Sequence, residues 1–161
     1  MSKTDPIRPT DDEARALARD LIATASFGAL GVLDPQTATP LVSRIAVALD
    51  ESGQPMTLIS DLAMHSRALQ ANPACSLLVG EPGPKGDPLT HPRLTLQCTA
   101  QFIDQTSTTH ASLREFYLTQ HPKAKLYIDF KDFRLVRLQV TNGFLNGGFG
   151  KAYHLTASDL S

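Results

Sequence analysis

LVSRIAVALDESGQPMTLISDLAMHSRALQANP, residues 41–73, is the stretch on which the fold turns. Its first nine residues and the run 56–60 are short, apolar and rich in β-branched side chains. Residues 50–55, Asp-Glu-Ser-Gly-Gln-Pro, lie between them and are dense in turn formers. Two such runs joined by so short a polar link predict an antiparallel hairpin. A small helix is expected over 66–71, stopped by Asn72-Pro73, because the residue before a proline is pushed out of helical geometry.

The same pattern continues on both sides. Upstream, 27–33 is an apolar run separated from residue 41 by Asp34-Pro-Gln-Thr-Ala-Thr-Pro40, a second hairpin link. Downstream, 75–80 and 93–103 read as strands around a loop, 81–92, that holds four prolines and two glycines. Residues 133–140 alternate as a strand suited to pairing on both sides. A glycine-rich tail, 143–150, leads into 151–155. Helices flank this series. Thr10-Asp-Asp-Glu13 has the form of a capping box, and Ala14, Leu17, Ala18, Leu21 and Ile22 recur at helical spacing. A second helix is expected over 108–120, with a helical turn at 124–127. Residues 1–9, with Pro6 and Pro9, read as a flexible arm before a single domain over 10–161.

Strands in hairpin series with interspersed helices argue against a doubly wound parallel sheet. The chain holds neither a Gly-x-Gly-x-x-Gly nor a Gly-x-x-x-x-Gly-Lys-Ser/Thr motif. The expected fold is mainly β with peripheral helices: a small barrel of about six antiparallel strands.

Composition narrows the function. The 161 residues are 42% hydrophobic and 19% charged, with fifteen Lys+Arg against sixteen Asp+Glu. That balance supplies no basic surface for nucleic acid. Apolar runs far below the length of a bilayer span, and no charged start followed by an apolar signal core, predict a cytoplasmic protein away from membranes. Cys75 and Cys98 sit in apolar runs and read as small buried hydrophobes. Five histidines without metal-ligand spacing predict no dedicated metal site.

Anion chemistry is better represented. Ser60 ends a strand, and His65-Ser66-Arg67 opens a helix, where free amides, hydroxyls and a guanidinium suit an anion. Arg44 lies in an otherwise apolar strand, where an unpaired buried guanidinium would be costly. Two arginines on one phosphate would each add roughly 1.5–3 kcal/mol. The alternative reading places Arg44 in solvent and Arg67 on a helix surface.

The run from Ser43-Arg44 through Ile59-Ser60, His65-Ser66-Arg67 and Asn72-Pro73 resembles the FMN-binding split-barrel family that includes pyridoxamine 5'-phosphate oxidase. LISDLAMHSRALQANPACSLL, HPRLTL and GGFGKAYHL are most similar to its HugZ/HutZ-type branch, which contains haem-utilisation proteins. The resemblance covers about 12–160. It implies a split barrel assembled as a homodimer, with FMN between the subunits and a small-molecule substrate. Carried over, Arg44, Ile45, Ala46 and Val47, on to Leu49, would line the flavin. Ile59 and Ser60 would follow, with His65, Ser66 and Arg67 at the phosphate and Arg93 as a further contact. The oxidase's substrate lysine corresponds to Leu49 and its Ser-Arg-Lys turn to Ser66-Arg67-Ala68, so vitamin B6 oxidation is not implied. An FMN-dependent oxidoreductase is the first reading. A haem-binding or haem-degrading protein is the alternative, with His154, the histidine of the tail, as ligand candidate. A non-catalytic flavin module is the third.

Overall fold

A computed structural model describes residues 5–161. Nine strands and three α-helices follow in order: β1 (Ile7–Arg8), α1 (Asp12–Thr24), β2 (Phe27–Leu33), β3 (Pro40–Ala46), β4 (Ala48–Leu49), β5 (Pro55–Ser60), α2 (Met64–Ala71), β6 (Ala74–Val79), β7 (Arg93–Phe102), α3 (Thr108–Gln120), β8 (Phe133–Asn146) and β9 (Ala152–Thr156). Short 3₁₀ turns occupy Pro88–Thr90, Pro122–Leu126 and Ala157–Leu160.

The sheet order is β1-β9-β8-β7-β6-β2-β3, with β5 pairing both β8 and β4. Only a single residue, Val47, separates β3 from β4, so the chain itself carries the sheet from β2 round to β5 and closes a barrel of six antiparallel members. The fold is thus the expected mainly-β split barrel, with β1 and β9 as additions. The split lies on β8. This strand pairs β7 along one edge, while the other edge serves β5 up to Arg137 and β9 from Asn142. Between them the Val140 amide donates to Gln54 Oε1 at 3.2 Å, which satisfies a strand edge that has no partner strand there.

Alternation decides which side chains fill the barrel. Leu30, Val32, Ile45, Leu77, Val79, Leu94, Leu96, Val136 and Leu138 point inward and are buried with Ala14, Ala18 and Ile22 of α1. A second cluster lies on the other side of β5 and β8. There Met56, Leu58 and Leu135 meet Leu113 and Tyr117 of α3 and Ile128.

Three local expectations are corrected. The cap of α1 is Asp11, whose carboxylate accepts from the Ala14 amide at 2.8 Å, and the Thr10 hydroxyl instead donates to the His154 carbonyl at 2.7 Å. A carboxylate at this position satisfies the same free amide and adds charge complementary to the helix start. The strand expected over 41–49 is two pieces, because Val47 turns its amide to the Ser26 carbonyl. The first half of the glycine-rich tail continues β8 as far as Asn146, because it pairs with β7 on one edge and β9 on the other, and Gly143 there leaves room for Leu160. Of the arm expected over 1–9, residues 1–4 lie outside the described residues, and Ile7–Arg8 pairs in parallel with Ala152–Tyr153.

Candidate functional site

On β2, Phe27, Ala29, Gly31 and Leu33 point away from the barrel, and on β3 Val42 and Arg44 do the same. Register joins these into rows. Arg44 is opposite Ala29, Ala29 opposite Leu78, Leu78 opposite Thr95, Thr95 opposite Phe144, and Phe144 opposite His154. The outer face is therefore built of small and apolar side chains with arginines at its margins. Phe27, Leu33, Val42, Leu78 and Phe144 are all exposed.

A cleft of about 410 Å³ opens on this face, lined by Phe27, Val42, Leu78 and Leu89 with Arg44, Arg93, Glu81 and His91. Arg44 sits over the Phe27 ring, its guanidinium carbon 5.5 Å from the ring centroid. Arg93 donates to the Leu89 carbonyl at 3.0 Å, which leaves most of its donors unused. Neither arginine forms an ion pair among the described residues. Gly80, at φ 102°, closes one wall. A Cβ there would stand 2.7 Å from the Pro92 carbonyl oxygen, so only glycine lets the chain approach so closely. His91 was not legible as a site residue. Its Nδ1 accepts from the Gly83 amide at 3.3 Å and its Nε2 donates to the Lys85 carbonyl at 2.6 Å, tying the proline-rich loop to the cleft.

The other candidates are placed elsewhere. Ile45, Val47 and Ile59 are buried in the interior cluster, and Ala46 is half-buried on the outer side of β3. Two of the positions expected to line a flavin, Val47 and Leu49, have backbone groups engaged by the C-terminal end of α3 and the residue after it. His121 Nε2 donates to the Val47 carbonyl at 2.7 Å, and Gln120 bonds both the amide and the carbonyl of Leu49. The Ser60 hydroxyl donates to Asp132 at 2.8 Å. His65 faces Ser43, with Nδ1 3.1 Å from the hydroxyl, and burial pushes its pKa below the ordinary value. Ser66 is fully buried, its hydroxyl without a partner among the described residues. Arg67 is exposed on α2 and does not line the cleft. Arg44 and Arg93 thus line one cleft. His154 stacks on Phe144 with ring centroids 4.9 Å apart, and its Nε2 lies 3.2 Å from Asn142.

Among the described residues, no group of three or more His, Cys, Asp or Glu is disposed to hold a metal ion. No helix among the described residues is long and apolar enough to cross a membrane. Both cysteines are free, and burial raises the Cys75 thiol to about 11.

The chain is thus a split barrel with an apolar cleft on its outer face, edged by Arg44, Arg93 and Glu81. The chain belongs to the CREG beta-barrel family, whose model matches residues 9–160. It is 37% identical over 102 residues to the non-canonical heme oxygenase HOZ of Arabidopsis thaliana chloroplasts, a match covering 62% of this chain and 29% of that protein. It is 29% identical over 136 residues to the heme oxygenase HutZ of Vibrio cholerae, covering 81% of this chain and 74% of that one. Among solved structures, a heme binding protein from Mycobacterium smegmatis superposes with a TM-score of 0.83 at 30% identity, over 96% of this chain and 61% of that chain. The chain therefore spans under a third of the plant relative.

Proposed function

We propose that this chain binds haem in the outer cleft of its barrel and acts in haem handling as a HutZ-like protein. The observation that carries the reading is the pair Arg44 and Arg93, free of ion pairs, on an apolar wall of Phe27, Val42, Leu78 and Leu89. A porphyrin needs an apolar surface for its ring and cations for its two propionates, and this cleft offers both. The three relatives compared are all named for haem, which supports placing haem ahead of the flavin that the sequence motifs favoured.

In this reading the apolar side chains exclude water from one ring face, the guanidiniums fix orientation, and the His91-tied loop walls the ring edge. Haem, when bound, supplies the iron at which oxygen chemistry takes place. The exposed apolar face beside the cleft supports a homodimer, because a second copy would cover it and deepen the cleft.

Titration with haemin tests the proposal. A saturable, intense Soret band is the expected outcome, and its absence overturns the reading. Adding a reductant and oxygen then separates degradation, in which that band is lost with formation of a bilin product, from storage, in which it persists.

FMN is the second reading. Arg44 beside Phe27 offers a cation and a flat ring to a flavin mononucleotide. Copurified flavin bands with no Soret response would favour it, either as an oxidoreductase of a small molecule or as a flavin module without turnover.

A further inference from the structure

We infer that Cys75 and Cys98 are a disulfide-forming pair: an oxidant of the peroxide class joins their sulfurs and cross-links β6 to β7 inside the barrel. The bond needs no haem, so it stands apart from the haem reading.

Register sets the two cysteines face to face. Cys75 is directly opposite Cys98 in the β6–β7 pairing, and both side chains belong to the interior cluster. The Ala100 amide donates to the Pro73 carbonyl at 2.8 Å, which makes 73 and 100 a hydrogen-bonded pair. Bonded and non-bonded pairs alternate along an antiparallel ladder, so two residues further on Cys75 and Cys98 are a bonded pair again. Opposed Cα atoms stand about 5.5 Å apart at such a position, inside the range that a disulfide spans. Cys75 Sγ already reaches across, donating to the Cys98 carbonyl at 3.7 Å, while Cys98 Sγ donates to the Leu96 carbonyl at 3.7 Å. Rotation of the two side chains about their Cα–Cβ bonds is the movement that brings sulfur to sulfur.

The surrounding sheet can yield to the bond. Side chains at a bonded pair stand somewhat further apart than at a non-bonded one, so closing the bridge draws β6 and β7 together locally. On the other edge of β7, β8 carries one extra residue, Thr141, opposite Gln97 and Cys98, and the ladder there is interrupted. A second hollow, of about 500 Å³, has both cysteines among its lining residues and admits a water-sized oxidant to this part of the sheet. Leu78 and Val79 of β6 and Arg93 of β7 line the outer cleft, so the bridge ties two of its strands to each other.

Hydrogen peroxide balances the step. Cys75, the less buried thiol, takes one peroxide oxygen to become a sulfenic acid, and the first water leaves. Cys98 Sγ then attacks Cys75 Sγ. The S–O bond breaks, and hydroxide departs with the Cys98 proton as the second water. Two thiols are oxidised and one peroxide is reduced. Burial raises the Cys75 thiol to about 11 and the Cys98 thiol further, so thiolate is scarce at neutral pH and the bridge forms slowly.

Prolonged exposure of the unaltered chain to hydrogen peroxide, followed by non-reducing peptide mapping, tests this. The expected product is a pair of peptides joined through Cys75 and Cys98, lighter by two hydrogens than the sum of its parts. Both thiols should be lost together, the chain should stay monomeric on a non-reducing denaturing gel, and dithiothreitol should restore both. With only two cysteines in the chain, an intrachain disulfide can be no other. Cys98→Ser should stop at a Cys75 sulfenic acid that dimedone captures. Thiols that survive an exposure sufficient to oxidise free glutathione would overturn the inference. So would an oxyacid on one cysteine with the other thiol intact, or disulfide-linked dimers. Each of these outcomes is read on the unaltered protein, so misfolding of Cys98→Ser does not protect the idea.

Discussion

Asp50 does the most at the scale of one residue. Its carboxylate accepts from the Ser52 amide and hydroxyl and from the Gln54 amide at 2.8–2.9 Å, and from Arg137 Nε at 2.7 Å. It thereby shapes the β4–β5 turn and ties it to β8, with its side chain only 1% exposed. Asp50→Ala leaves the largely buried Arg137 guanidinium with only the more distant Glu51, at 3.8 Å, as counter-charge, and removal of the close partner of such a pair costs about 3 kcal/mol. Urea denaturation should show a lower midpoint with little change of slope. Single residues were also where reading from sequence was least secure. Arg44 was flagged because a buried cation is costly, yet strict alternation in β3 puts it outside while Ile45 goes in. Charge type was visible in the sequence, and Arg44 and Arg93 were both named from it; that the two line one cleft was not visible there.

The C-terminal turn and α1 show how elements are joined. Arg15 of α1 donates to Asp159 at 2.7 Å, and the same carboxylate receives the Thr156 amide and hydroxyl. The Arg15 hydrogen bond foremost, then Thr156, hold the Asp159 carboxyl at about 2, below its ordinary 3.8. A carboxyl whose pKa is lowered by folding stabilises the fold above its unfolded value, and that contribution is lost as pH falls through the folded one. Melting temperature should therefore fall between about pH 4 and pH 2 in the unaltered chain. Asp159→Asn should flatten that slope, as thermal unfolding followed by circular dichroism would report. Elements themselves were largely legible. The helix expected over 108–120 is α3, and the run 27–33 is β2. Periodicity and turn residues act over a few positions, which a sequence displays directly. The break at Val47 was not displayed, because it depends on Ser26 and His121, distant in the chain.

At the scale of the whole molecule, the outer face of β2 and β3 brings together apolar side chains that no element among the described residues covers. If the proposed dimer buries that face, Leu33→Glu should halve the mass measured by sedimentation, since a carboxylate would be buried without a partner. Leu33 does not line the cleft, so weaker haemin binding in this variant would report loss of the second copy that deepens it. The sequence by itself determined most of the strands, the hairpin links and the presence of cations in apolar runs, because each is written in neighbouring residues. Tertiary structure alone decided which outward side chains share a surface. Arg44, Leu78 and Arg93 belong to three strands, and only sheet order and register, set by closing the barrel around its core, bring them to one cleft.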